Sequence, residues 1–373
     1  PNWATLTTDP TLGTLTKTFT TGETASISLT SNVLVPNVSV TKEVPQSGAT
    51  NNTWDVNSTT ENYTRLNSAP ATTLDWSSNF ASSTFFQSFS VSAQDASPLG
   101  VVFNPTGTKM FICGRSNDYV YEYALTTGFD VLTASYTRFF SVGSQDSNPY
   151  ALAFNTDGTK MFVLGRTNDN VYEYALTTGF NISTASFTDA FLISGQETNP
   201  TDLTFNTDGT KMFVCGTTGR NVNEYALTTG FDVSTASFTD AFSVSSQDTA
   251  PYGLTFNSTG TVMYVSGAST DNVFAYALTT GFDVSTASYT NTSFSIANED
   301  TVSSGLALNS LETKMYMIST TSKRVSEYNL SFLLALGTGS FTSADVGKTI
   351  EANSGAFVLT ATSGSYVQTT APT

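Results

Sequence analysis

Five acidic residues recur along the chain at an almost constant step: Asp95, Asp146, Glu197, Asp248 and Asp300. Hard cations such as Ca²⁺ and Mg²⁺ want several oxygen ligands, so five carboxylates gathered in one place would make a metal site. The competing reading is local. A Gln precedes most of these acids and Pro98, Pro149, Pro200 or Pro251 follows, which is the composition of a turn whose carboxylate accepts its own backbone N–H groups. Tandem repetition copies any turn residue into a ring, so the turn reading carries the greater weight.

Glutamates recur beside tyrosines as Glu122-Tyr123, Glu173-Tyr174, Glu224-Tyr225 and Glu327-Tyr328. Glycoside hydrolysis uses two carboxylates, but they must converge on one bond in unlike environments. Identical glutamates spread over tandem copies do not meet that requirement. Histidine is absent, which removes a His-dependent triad and a His-ligated zinc together. The expectation is a protein without catalytic activity. Met110, Met161, Met212, Met263 and Met315 hold one register, as do Lys109, Lys160, Lys211 and Lys314, with Val262 interrupting the lysines. A soft-metal ring is the chemical reading of the methionines, and adaptable core filler is the plainer one. The lysines are expected on a solvated turn. Cys113 and Cys215 take the same position in the first and third copies, too far apart in a ring for a disulfide.

The period that repeats these residues also repeats the elements that carry them. Phe103-Asn104, Phe154-Asn155, Phe205-Asn206, Phe256-Asn257 and Leu308-Asn309 are 51, 51, 51 and 52 residues apart, which marks tandem supersecondary units. Alternation of apolar and polar residues predicts four short strands per copy, in the third near 202–205, 211–215, 222–227 and 241–244. An Asn-x-x-Gly turn joins the first two, as in Asn104-Pro105-Thr106-Gly107. Glu312 stands where the fifth copy's Gly belongs, so a different turn is expected there. The outer loops, such as Thr126-Thr127-Gly128-Phe129-Asp130, place an Asp or Asn to cap a short turn.

A four-stranded unit of this length cannot bury both faces alone, so the copies stack, and a twisted stack that returns on itself is a propeller. Residues 79–91 align with residues 130–142, a fourth strand and its lead-in, whereas the fifth copy stops after its third strand at Leu330. One spare strand at the start and one missing at the end predict an all-β, five-bladed β-propeller closed by strand exchange over 79–332. A small β-rich N-terminal domain, 1–78, and a C-terminal β arm, 333–373, complete the expected organisation. All three tryptophans, Trp3, Trp54 and Trp76, lie in the first of these. A local core explains them, and docking to another subunit is the second reading.

The chain has 373 residues, 39% of them hydrophobic, which is ample for a buried core. Its net charge of −16 opposes contact with a phosphate backbone, so no nucleic-acid partner is expected. No apolar run approaches the ~18 residues that span a bilayer, so no membrane insertion is expected. Abundant Thr, Ser and Asn suit an extracellular or virion location. Neither end of the sequence reads as a secretory signal, so release by a route such as lysis is expected.

The pattern Ser-x-Gln-Asp-x-x-Pro, then Phe-Asn-x-x-Gly-Thr-Lys-Met-Phe, then Val-x-Glu-Tyr-x-Leu-Thr-Thr-Gly-Phe-Asp-Val-Ser-Thr-Ala-Ser resembles YVTN/NHL-like propeller repeats. More narrowly it is similar to the variety found in structural proteins of tailed, especially marine, bacteriophages. The segment 341–350 is similar to short β segments of phage tail and capsid-associated proteins. The resemblance implies a virion structural protein, as capsid decoration, fibre or tail component. Its partners would be other virion proteins or copies of itself, with the ring exposed for particle stabilisation or host attachment. A secreted or cell-surface adhesin that binds glycan or protein is the alternative. No cofactor is expected unless the acidic ring holds Ca²⁺.

Overall fold

The computed structural model describes residues 80–300 and 302–330 fully, and backbone strands at 37–40, 53–54, 66–67, 72–78, 332–336, 349–352, 355–363 and 366–369. The chain forms two compact units, one of residues 83–329 and one of residues 1–82 with 330–373.

The larger unit consists of five antiparallel four-stranded blades. The first contains Pro98–Phe103, Lys109–Gly114, Tyr119–Leu125 and Ala134–Ser141, from the innermost strand outward. The second, third and fourth open with Pro149–Phe154, Pro200–Phe205 and Pro251–Phe256 and repeat this order. The fifth takes Ser303–Leu308, Lys314–Ser319 and Arg324–Asn329 from the end of the unit and Thr84–Ser90 from its beginning. In that last pairing Arg324 faces Ser90 and Asn329 faces Thr84. Innermost strands of successive blades pack against each other all the way round, the fifth against the first. The unit is therefore a five-bladed β-propeller closed by strand exchange, in which the fifth blade is completed by a strand from the beginning of the unit.

The core lies between blades. Ala307, Tyr316 and Ile318 of the fifth blade pack with Val101, Met110 and Ile112 of the first, and equivalent clusters fill the next three interfaces. Sandwiched second strands are apolar on both faces: Met212, Phe213, Val214 and Cys215 are all fully buried. Burial of each such side chain contributes about 1.5–3 kcal/mol. The five methionines sit in these layers with no exposure, which makes them packing residues. The single step of 52 residues comes from the fourth blade. Its outer strand, Ala287–Ser295, has nine residues where the preceding three have eight, and Asn291 takes a φ of 59° in the bulge.

The fifth blade corrects one expectation. Glu312 closes the same turn as the glycines do: its N–H donates to Asn309 O at 2.9 Å, as Gly107 N–H does to Asn104 O. Its φ of 56° matches the left-handed conformation of Gly107, at 68°. A side chain fits here because the fifth blade has no Thr-Thr-Gly-Phe loop. In the first blade a Cβ on Gly107 would lie 2.3 Å from the ring of Phe129, and the next three blades repeat that clash. The left-handed backbone costs about 1–2 kcal/mol. A bond from Ser258 N–H to the Glu312 carboxylate, at 2.5 Å, offsets part of it.

In the smaller unit the described strands form one antiparallel sheet, in the order 37–40, 72–78, 332–336, 366–369, 355–363, 349–352, with a separate pair 53–54 and 66–67. Strands from the two ends of the chain are thus direct partners, Trp76 opposite Leu334. Where the sequence suggests a domain at one end and an arm at the other, the sheet joins them. Trp3 lies outside the described residues, as do the side chains of Trp54 and Trp76.

Candidate binding site in the central channel

The innermost strands bring one position of every blade to the axis: Gly100, Ala151, Asp202, Gly253 and Gly305. Space there is scarce. A Cβ on Gly305 would lie 2.8 Å from Leu99 O and 3.0 Å from Gly100 Cα of the next blade. The single long side chain, Asp202, uses the room its small neighbours leave. One carboxylate oxygen accepts Leu203 N–H at 2.9 Å and the other accepts Leu254 N–H of the fourth blade at 2.7 Å. The Leu306 amide of the fifth blade also lies close enough to favour the charged carboxylate, so Asp202 meets backbone from three blades at the axis. These amides belong to innermost strands, whose axial side has no ladder partner, and a buried amide left unpaired costs about 1–3 kcal/mol.

Desolvation pushes the Asp202 carboxyl up to about 8, against the opposing pull of the three amides. Its ionisable neighbours on the second strands are the free thiols Cys113 and Cys215, which burial raises far above their ordinary value. Asp202 lines a cavity of about 340 Å³ that extends to the face carrying the Asn-x-x-Gly turns. Phe103, Phe154 and Phe205 line its shaft, with Asn104, Asn155 and Asn206 toward the mouth. A volume above about 300 Å³ lined by apolar and neutral polar side chains, with one acid among them, is within the range of small-molecule sites.

The residues singled out by repetition are placed elsewhere. Asp95 accepts Ser97 N–H at 2.7 Å, Ser116 N–H at 3.3 Å and the Tyr121 hydroxyl at 3.2 Å. Asp146, Glu197 and Asp248 make the same amide bonds, Asp300 accepts Val302 N–H at 3.1 Å, and all five are buried. The first four tie the incoming connection to the hairpin loop of their own blade, whereas Asp300 bonds within its own connection. The preceding Gln94 accepts the Tyr123 hydroxyl at 3.1 Å, which explains why Gln-Asp and Glu-Tyr recur together. Among the described residues no three His, Cys, Asp or Glu side chains come close enough to share a metal ion.

The lysines are not solvated turn residues, contrary to expectation. Lys211 Nζ lies 2.7 Å from the buried Glu224 carboxylate and donates to Phe282 O of the next blade at 2.7 Å. Glu224 also accepts Val284 N–H of that blade at 2.9 Å. Lys109 with Glu122 and Lys160 with Glu173 reach forward to Phe180 O and Phe231 O in the same way. The pair therefore clamps one blade to the next. In the fourth blade both members are missing, as Val262 and Ala275. The following blade has no Phe loop to receive a lysine there, so a pair at this place would have no carbonyl of the next blade to hold.

Asp202 escapes a reading based on likeness between copies. Its signal is the mismatch: one acid aligned with three glycines and an alanine.

The fold and this channel define the chain as a five-bladed propeller with an axial pocket. No protein-family model matches it and no curated protein matches it. Among solved structures it is similar to a functionally unknown protein from Desulfotomaculum acetoxidans, at 15% identity and a TM-score of 0.40, covering 65% of this chain and 69% of that one. It is also similar to a candidate 6-phosphogluconolactonase from Bacteroides uniformis, at 13% identity and a TM-score of 0.39, covering 60% and 67%. The β-propeller domain of Cps50 (Swd1) from Myceliophteria thermophila is a third, at 10% identity and 0.39, covering 66% and 99%. At these levels the architecture rests on the strand pairing above.

Proposed function

We propose that the chain is a non-enzymatic structural protein of a tailed-phage particle, with the ring presented for particle stabilisation or for contact with a host surface. The phage assignment comes from the resemblance of the repeats to YVTN/NHL-like units of virion proteins. The observation that supports a non-catalytic role is the employment of the repeated charged residues. The repeated carboxylates are held in blade or loop bonds, Asp300 through one oxygen only, and the axial pocket contains one acid where hydrolytic chemistry of the glycosidase type needs two. Mass spectrometry of purified particles tests the assignment: many copies per particle are expected, and absence from particles refutes it.

An adhesin is the second reading, and a specific feature favours it. Phe85, Tyr136, Phe187 and Phe238 occupy one position of the outermost strands, between 42% and 46% exposed. Exposed rings repeated round a perimeter suit stacking on sugar faces. A glycan array probed with the full chain separates the two, since a scaffold binds none of the glycans.

A further inference from the structure

We propose that the axial pocket is a binding site for a small organic amine, with its ammonium group on Asp202 and its aromatic or aliphatic body between Phe103, Phe154 and Phe205. This does not rest on the particle assignment. Asp202 is the one ionisable residue in the lining of the cavity; all others are apolar or neutral and polar. The fold does not require an acid there, because the other blades close the same position with glycine or alanine. An ionised carboxylate has about four acceptor positions. Leu203 N–H and Leu254 N–H use two of them, one on each oxygen, which leaves acceptor capacity for a donor arriving along the shaft. An ammonium supplies both that donor and the charge that the buried carboxylate lacks. A carboxylate or phosphate ligand is disfavoured by the same charge, and the overall charge of −16 draws cations to the surface. The neutral rim of Asn104, Asn155 and Asn206 sets no further charge requirement, so an uncharged tail suits the mouth.

The pH behaviour follows from the ionisable groups around the site. No acid or base stands at the equivalent positions of the other innermost strands, and the thiols of Cys113 and Cys215 stay protonated. Below about 8 the free carboxyl holds a proton that an incoming ammonium must displace. Affinity therefore rises with pH up to that value, by up to about tenfold per unit.

The test uses the full chain with benzylamine and its neutral isostere benzyl alcohol, by calorimetry and thermal shift at pH 6 and pH 8. Benzylamine is expected to bind at least about tenfold more tightly than the alcohol at pH 8 and to release a proton at pH 6, read as buffer-dependent heat. Asp202→Asn is expected to abolish the preference for the amine. If that variant does not fold, Thr204→Phe, which fills the shaft and keeps the acid, is expected to abolish binding of both compounds. Equal affinity for amine and alcohol overturns the proposal, as does a preference that survives Asp202→Asn. Benzylamine binding that Thr204→Phe leaves intact overturns it too, and so does an absence of binding at millimolar benzylamine.

Discussion

Replacing Glu224 by alanine tests directly how one blade holds the next. The carboxylate is almost wholly buried and accepts both Lys211 Nζ and Val284 N–H, while the ammonium also serves Phe282 O. Alanine leaves a lysine about three-tenths exposed with a single carbonyl partner, and a buried amide with none. A broken, fully buried ion pair costs about 3–5 kcal/mol. Solvent reaches this lysine, so the expected loss is smaller, about 2–4 kcal/mol. The double variant Lys211→Val/Glu224→Ala copies what the fourth blade has naturally. It should cost about 1–3 kcal/mol less than the sum of the single variants, because no unpaired charge is left behind. Urea unfolding of the full chain, followed by β-sheet circular dichroism, measures all three. A loss below about 0.5 kcal/mol for Glu224→Ala, or strict additivity, refutes the clamp.

Other outcomes follow from the same geometry. Asp202 has a carboxyl raised above its unfolded value of about 3.9, so the folded state binds the extra proton between about 4 and 8. Its contribution to stability is complete below that window and declines as pH rises through it, by up to about 1.4 kcal/mol per unit. Asp202→Asn should therefore gain on the parent as pH increases, and a pH-independent difference in unfolding free energy contradicts this. Gly209→Ala should cost more than about 2 kcal/mol, since a Cβ there meets Phe231 at 2.2 Å, whereas Glu312→Ala should cost about 1 kcal/mol or less. Comparable losses in denaturant midpoint for the two would show that the missing Phe loop is not what admits a side chain. Asp248→Ala frees three amides and a hydroxyl and should lower the thermal midpoint. Adding calcium or EDTA to the parent should leave that midpoint unchanged, and a rise with calcium would favour a metal at the acidic turns.

The propeller was legible because its information is local and repeated: the Asn-x-x-Gly turn, alternating strands and a constant step appear within each copy. Closure was legible from the spare strand near residue 85, a matter of counting. The lysines were misread because their partners are not local. Lys211 meets Phe282 at a sequence separation of 71, a contact that exists only once the blades are stacked. Glu312 was misread for a related reason. The obstacle that demands glycine elsewhere is a Phe ring, and the fifth blade lacks it. The pairing of 72–78 with 332–336 bridges the whole propeller in sequence and leaves no mark in either segment. Asp202 was visible as a residue, but its meaning depends on knowing that its position converges on an axis.

The closing pair also determines how the ring answers a pull. Its chain enters at Thr84 and leaves at Asn329, residues that face one another at the same end of a single ladder. Tension applied through these two points loads the hydrogen bonds in sequence rather than together, as a zip is loaded. The latch would peel from Asn329 toward Arg324 while the other four blades stayed folded, so the ring carries a mechanical fuse at its seam.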